Sequence, residues 1–344
     1  MSGAASSEED RAQRRPTSYD VAKAAGVSQS AVSRCFRPGG SIAPETRARV
    51  LKAARELGYQ PNAIASGLKA KRSNLVAVLI SNLTNLYYPE VLAGLSRRLS
   101  ASDNRLLLFA LETENEVEAA LDQVWRYRVD GAIVAARLSA AQLRAFQRHR
   151  VPVVLYNRFG ELDEPVPSVC CDSPGGERML VDRLIAAGHR RFGLICGPED
   201  NTVGRQRVEA ARARLESAGL VPAIAGGAFD HDSGEQGFRR LMTQSGDQLD
   251  AVICANDLMA IGAIDAAREV YGLDVPRDVS VVGFDGVGPA AWASYRLTTV
   301  RQPVGRMTEA AVAMLMERVA DPELPPEVRT FAGKLIPGRS ARLG

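Results

Sequence analysis

Two groups of polar side chains in this sequence have types and spacings suited to recognition chemistry. The first is the run Ser28-Gln29-Ser30-Ala31-Val32-Ser33-Arg34. If the run is helical, Gln29, Ser30, Ser33 and Arg34 point outward. A guanidinium pairs with a guanine edge through two hydrogen bonds and an amide does the same with adenine. Serine hydroxyls such as those of Ser28, Ser30 and Ser33 reach phosphates or bases, so the run suits the major groove of DNA. The second group is Asn157, Arg158, Asn256 and Asp285, each directly behind a β-type apolar run. In open parallel sheets the carboxyl ends of the strands share a crevice, where a few convergent polar groups orient a ligand. Carboxylate, amide and guanidinium together suit a polyhydroxylated one. The plainer readings are a solvated helix face for the first group and loop caps for the second.

Enzyme chemistry finds little support. Gly286-Val-Gly288-Pro-Ala-Ala291 fits a GxGxxA pattern after a strand, but Pro289 stands inside it and it does not open a first βαβ unit. There is no Walker A loop, HExxH or GxSxG, and no nucleophile–base pair. Glu8 and Glu9 lie in a polar tail, and Glu112 with Glu114 reads as a solvated loop. Cys35, Cys170, Cys171, Cys196 and Cys254 form no CxxC pair and no ligand cluster with His149, His189 or His231, so reduced thiols and no metal are expected. The chain is expected to be no enzyme and to need no cofactor.

The elements that must position these groups are legible in the periodicity. Met1 to Arg15 is small, polar and charged, a disordered tail. Thr17 with Asp20 three residues on forms a capping box for a first helix whose apolar face is Val21, Ala22 and Ala25, and Gly26 ends it. Ser28 caps the second helix, and Val27 is placed to pack on Val32. Pro44 opens a third, with Val50, Leu51, Ala54 and Leu57 inward and Gly58 as its stop. A glycine turn between two short helices is the helix-turn-helix pattern. Residues 1–72 carry thirteen basic and six acidic side chains, a surplus of seven in a chain whose total is only +3, so a polyanionic partner is expected at this end. Tyr59 to Arg72, with Pro61, Asn62 and Gly67, reads as a linker with one short helix. Beyond it, apolar runs at 75–80, 106–110, 131–135, 151–155, 191–195, 251–254 and 279–284 alternate with helical stretches, which argues for parallel sheets covered by helices in two α/β lobes.

Ser18 to Arg34, followed by Pro44 to Val50 and Leu57-Gly-Tyr-Gln-Pro-Asn-Ala-Ile-Ala-Ser-Gly-Leu68, resembles the headpiece and hinge of the lac repressor (LacI/GalR) family. The resemblance implies that Gln29 and Ser30 sit at the main specificity positions and Arg34 at a base-contacting arginine. Tyr19, Ser28, Ser33, Tyr59 and Asn62 would fasten the phosphate backbone. Leu68 would enter the minor groove as an apolar wedge, with Ala65 small enough to approach its floor. Gly67 disfavours an isolated helix, so the hinge is expected to order only on DNA. The second half of the resemblance covers nearly all of residues 73–344, through Asn85 to Glu90, Asp130 to Val134, Val153 to Arg158, Gly188 to Arg191, Ala255-Asn-Asp257, Val281 to Asp285 and Leu297 to Pro303. It implies a two-lobed core like that of periplasmic sugar-binding proteins, with the ligand between the lobes. Asn85, Tyr87, Tyr88, Asn157, Arg158, Arg207, Asn256 and Asp285 are then the expected effector-binding residues. Three positions depart from the family pattern: Gly286 stands where an acidic residue is common, Asn157 where aspartate is frequent, and Ala43 lacks a capping hydroxyl.

The expected fold is thus an N-terminal all-α helix-turn-helix headpiece plus an α/β two-lobed periplasmic-binding-protein-like core, with parallel sheets flanked by helices. The expected boundaries are a tail at 1–15, a DNA-binding domain at 16–59, a hinge at 60–72 and a core at 73–344. Its N-lobe takes about 73–172 and 303–333, and its C-lobe about 173–302 and 334–344. The expected function is a sequence-specific transcription regulator, read as a repressor. Its expected partners are double-stranded, near-palindromic operator DNA, a sugar, sugar acid or sugar phosphate effector, and a second copy of itself. With no apolar run of about 18 residues and no apolar signal segment in the first 15, a cytoplasmic, nucleoid-associated location and no membrane partner are expected. The rival from another class is a solute-binding module without a DNA role.

Overall fold

The chain divides into two units, Met1–Ser73 and Asn74–Gly344. The computed structural model describes residues 15–36, 39–60, 72–111, 116–160, 162, 165–199, 201–246 and 248–344. In the first unit, helices α1 (Ser18–Ala25), α2 (Gln29–Cys35) and α3 (Pro44–Glu56) enclose a small core of Val21, Ala22, Ala25, Val32, Cys35, Val50, Ala53 and Ala54. Half of these are alanines, which let three short helices cross closely. The Asp20 carboxylate accepts from the Thr17 amide at 2.8 Å and from its hydroxyl at 2.6 Å, which fixes the start of α1. Gly26 ends α1 at φ 63°, a left-handed conformation that costs glycine little, and the Val27 amide closes back on Ala22 O at 3.0 Å. Val27 packs into the same core as Val32. The hinge expected over 60–72, with Asn62, Ala65 and Leu68, falls almost wholly outside the described residues, as does the tail.

The second unit is built on two six-stranded sheets. The first contains β1 (Leu75–Ser81), β2 (Arg105–Leu111), β3 (Gly131–Ala135), β4 (Val153–Tyr156), β5 (Ser168–Cys171) and β11 (Val328–Phe331), in the order β11-β5-β4-β3-β1-β2. The second contains β6 (Phe192–Ile195), β7 (Ala223–Ala225), β8 (Ala251–Cys254), β9 (Ser280–Asp285), β10 (Thr298–Arg301) and β12 (Lys334–Ile336), in the order β12-β10-β9-β8-β6-β7. Every pairing is parallel except β10 with β12. Central strands such as β3, β8 and β9 are buried at every position, because helices cover both faces, and they read as unbroken apolar runs. The helices are α4 (Tyr87–Ala101), α5 (Val117–Tyr127), α6 (Ala140–His149), α7 (Ser173–Ala186), α8 (Thr202–Ser217), α9 (His231–Ser245), α10 (Asp257–Asp265) and α11 (Val304–Ala320). Helix α11 packs on α4 and on β3, β4 and β5, although it follows a strand of the other sheet. The chain therefore passes between lobes three times, at Asp172, at Gln302–Pro303 and between Phe331 and Lys334. Strands β5, β7, β10, β11 and β12 were not among the apolar runs that the sequence singles out. They have three or four residues each, and β11 alternates between exposed and half-buried.

Candidate effector cleft and nucleic-acid interface

The first unit presents one polar face. Ser28 caps α2, its hydroxyl accepting from the Ala31 amide at 3.3 Å and lying 2.9 Å from the Ser30 hydroxyl. Gln29 Nε2 donates to the Ser18 hydroxyl at 3.2 Å, which ties the start of α2 to the start of α1. Ser30, Ser33 and Arg34 are exposed, and Tyr19 is 70% exposed, unusual for a tyrosine with a core beside it. Arg47, Arg49, Lys52 and Arg55 of α3 are also exposed, so the basic surplus lies on the surface. Tyr59 differs: it is half-buried, edge-on to Phe36 at 5.8 Å, and part of the small core. Asn62, Ala65 and Leu68 lie outside the described residues.

In the second unit the strand ends of both lobes open on one cleft. It encloses about 360 Å³ of space including its open mouth, and is lined by Asn82, Asn85, Tyr87, Tyr88, Asn157, Arg158, Asn201, Val203, Arg207, Phe229, Asp285 and Gln302. Asn82 follows β1, Asn157 and Arg158 follow β4, Asp285 ends β9 and Gln302 follows β10. Arg207 enters from α8. Its Nη2 pairs with Asp285 Oδ1 at 2.9 Å, its Nη1 donates to Ala255 O at 2.7 Å, its Nε donates to Ser173 Oγ at 3.4 Å, and its guanidinium lies 3.9 Å from the centre of the Phe284 ring. The cation–π contact and the three acceptors hold the fork rigid.

A chain of amides ties this pair to the other lobe. Gln302 Nε2 donates to Asp285 Oδ1 at 2.7 Å, and its Oε1 accepts from Asn157 Nδ2 at 2.8 Å. Asn157 Oδ1 in turn accepts from the Cys171 amide at 3.0 Å. Arg158 donates to Tyr88 Oη at 3.4 Å and to Asn157 O at 2.9 Å, so it is bound within its own lobe. Burial pushes the Asp285 carboxyl above the usual carboxylate range in spite of Arg207 and Gln302, because desolvation outweighs the partners' attraction. Burial likewise raises the Tyr87 phenol, which donates to Tyr156 Oη at 3.3 Å.

The Asp285 main chain sits at φ 124° and Gly286 at φ 75°. Asp257 holds that turn, accepting from the Gly286 and Val287 amides at 2.7 and 2.8 Å and from the Thr299 hydroxyl at 2.6 Å. Even so, burial first and Asp285 second push its carboxyl up to about 7. A Cβ on Gly286 would lie 2.5 Å from Arg301 Cγ and 2.8 Å from its Cα. That explains locally why glycine, not an acidic residue, stands there.

Seven of the eight expected effector residues line the cleft. Asn256 does not, and that expectation is corrected. Its Oδ1 caps α10 by accepting from the Met259 amide at 3.0 Å, and its Nδ2 donates to Phe229 O at 2.9 Å, so it stands behind the wall and steadies a wall residue. Asn82, Asn201, Val203, Phe229 and Gln302 line the cleft without having been singled out. The strand-end rule that pointed to Asn157 applies equally to Asn82 and Gln302. Phe229 gave no signal. It lies in a loop at φ 66°, and its ring occupies space that Cβ atoms on Gly197 and Gly204 would take, 2.3 and 2.7 Å away.

Residues 17–62 match the bacterial regulatory proteins of the lacI family, and residues 181–341 match a periplasmic binding protein-like domain. The HTH-type transcriptional regulator CelR of Thermobifida fusca is 33% identical over 316 residues, 89% of this chain and 92% of its own length. The chain belongs to the LacI family. The HTH-type transcriptional repressor PurR of Escherichia coli O1:K1 / APEC, another LacI-family relative, is 32% identical over 335 residues, 95% of this chain and 97% of that one. Among solved structures, the lac repressor dimer bound to operator and the anti-inducer ONPF superposes with a TM-score of 0.84 at 27% identity, over 95% of this chain and 99% of that chain. The CelR–cellobiose complex gives 0.72 at 31% identity, over 95% and 100%. This LacI-family chain is therefore a DNA-binding transcription regulator, and the relatives named here are regulators rather than enzymes.

Proposed function

We propose that the chain is a repressor whose hold on a near-palindromic operator is set by a small polyhydroxylated effector bound between the lobes. The observation that carries this reading is the hydrogen-bonded chain Asn157–Gln302–Asp285–Arg207, which begins on a strand end of one lobe and finishes on a helix of the other. A ligand hydroxyl both donates and accepts, so it can insert at any link of such a chain and change how the lobes are held. Support comes from a relative solved with cellobiose and another solved as a dimer on operator. The proposed DNA contacts are Tyr19, Ser28, Gln29, Ser30, Ser33, Arg34, Tyr59, Asn62, Ala65 and Leu68, and two copies related by a twofold axis would place them on two half-sites. The proposed effector contacts are Asn85, Tyr87, Tyr88, Asn157, Arg158, Arg207 and Asp285, with Gln302 and Phe229 added.

The test is a thermal-shift screen of neutral sugars, sugar acids and sugar phosphates, followed by operator binding with and without the best compound. A compound that raises Tm and alters operator affinity supports the reading. A protein that prefers no genomic sequence over bulk DNA in either condition would contradict it.

A further inference from the structure

Behind the cleft wall, one turn into α7, Glu177 is 1% exposed, and neither carboxyl oxygen has a hydrogen-bond partner among the described residues. Leaving a buried polar group unsatisfied is costly, and a carboxyl is among the costliest. A helix of this kind would hold an alanine or leucine there at no such cost. The surroundings show what the carboxyl faces. Ser173, four residues earlier and so on the same side of α7, accepts from Arg207 Nε at 3.4 Å. Gly176 packs on Phe284, the ring beneath the Arg207 guanidinium. Arg207 has five N–H donors and the contacts to Asp285, Ala255 and Ser173 use one from each nitrogen, which leaves two.

We propose that Glu177 is a positioning residue of the cleft: a reserve acidic partner that takes Arg207 when Asp285 is drawn away from it. The proposal rests on the effector reading of the cleft. An effector hydroxyl that donates to Asp285 competes for the carboxylate now held by Arg207. Without a second acid, the guanidinium would be left buried and uncompensated, and the exchange would be prohibitive. Glu177 stands one turn along α7 from Ser173, which Arg207 already contacts, and the two charges act on each other. The cleft thus gives up Asp285 to a neutral, polyhydroxylated ligand while Arg207 keeps a counter-charge.

The electrostatics agree with a partner held in reserve. Burial, and secondarily Asp285, push the Glu177 carboxyl up to about 8, with Arg207 pulling the other way. The Cys254 thiol of β8, itself raised by burial, is the other titratable neighbour. The remaining charged groups on elements packed against α7 face elsewhere: on α8 Arg205 pairs with Glu209, Arg212 with Glu216 and Arg214 with Asp182, Arg301 of β10 pairs with Glu90, and Lys334 of β12 is exposed. While Asp285 holds Arg207, Glu177 is protonated and neutral at pH 7. When Arg207 turns inward, Glu177 ionises and releases its proton.

A double-mutant cycle on the full chain tests this without any ligand or DNA, so its failure is separable from failure of the effector reading. In the wild type, Glu177 stays protonated in the folded state while it ionises in the unfolded one, so its cost to folding grows as pH rises from about 4.5 to about 8 and then levels off. Glu177→Gln should therefore raise the Tm of the second unit by about 10 °C at pH 8.5 and change it little at pH 5. In an Asp285→Asn background, Arg207 is already released to Glu177, and Glu177→Gln should instead lower Tm at pH 8.5. An equal shift in both backgrounds would overturn the proposal. Should Asp285→Asn fail to fold, infrared spectra decide. The spectrum of the wild type minus that of Glu177→Gln, which removes the contribution of Asp257, should show the band of a buried protonated carboxyl at pH 6.5 and none at pH 9.5. Its absence from that difference at pH 6.5 would equally overturn the proposal.

Discussion

At the scale of single residues, what matters is whether a side chain's neighbours leave it one conformation or several. Arg207 is held in one as long as Asp285, Ala255, Ser173 and Phe284 all keep their contacts with it. Arg34 is exposed, as its proposed base-reading role requires. Arg34→Ala should cost about 1–3 kcal/mol in binding to the operator and little on random DNA. Fluorescence anisotropy on both duplexes checks this, and an equal loss on both would reassign Arg34 to a phosphate. Gly286 is constrained by its φ of 75° and by Arg301 at its back. Gly286→Ala should destabilise the second unit by about 1–3 kcal/mol, measured by urea unfolding of the full chain, and an unchanged midpoint would contradict the strain. Of the cleft wall, Asn157, Arg158 and Asp285 were visible in the sequence as strand ends, while Asn85, Tyr87, Tyr88 and Arg207 were reached only through the family resemblance. Asn256 was misplaced by the same rule, since a residue that follows a strand can cap the next helix instead of facing the crevice. Glu177 was invisible: a glutamate four residues after a serine on a helix looks solvated until the packing of α7 against α8 and Phe284 is known.

At the scale of elements, capping and turn chemistry explain why the headpiece was easy to read and some strands were not. Thr17–Asp20, Gly26, Ser28 and Pro44 each mark a helix end by a local mechanism, and all three helices appear where they were expected. Strands β10 to β12 carry no such marks, because their places are set by the lobe crossings and not by their own apolar content. Ser28→Ala should loosen α2 by about 1 kcal/mol, visible as lowered helicity of the headpiece on heating; an unchanged profile would mean that core packing alone fixes α2. A pH effect belongs to the contact between α9 and α10. His231 opens α9, where a positive charge is disfavoured by the helix dipole. Nonetheless its pKa is raised, chiefly by Asp265, whose Oδ2 lies 2.9 Å from Nε2, and Asp265 also accepts from Tyr295 Oη at 3.1 Å. The folded-state pKa thus exceeds the ordinary 6.5. The stabilisation is complete below that pH and fades as pH rises through the folded value. For a partly exposed pair it amounts to about 0.5–1 kcal/mol. His231→Ala should flatten the Tm profile above pH 6.5, and a parallel displacement of the whole profile would show that the pair does not titrate as described.

At the scale of the whole molecule, one unit carries a polar, basic face and the other a cleft spanned by a hydrogen-bonded chain. The account requires that what happens in the cleft be felt at the operator. Coupling between two sites is reciprocal, so operator should change effector affinity by the factor that effector changes operator affinity. The most direct measurement is the operator affinity of the wild type and of Arg207→Lys, across a titration of the compound that gives the largest thermal shift. Lysine keeps the buried charge but loses the fork that reaches Asp285 and Ala255 together. The account predicts that wild-type affinity changes by about tenfold or more, while Arg207→Lys binds operator normally without the compound and no longer responds to it. Equal responses in the two proteins would contradict control through this cleft.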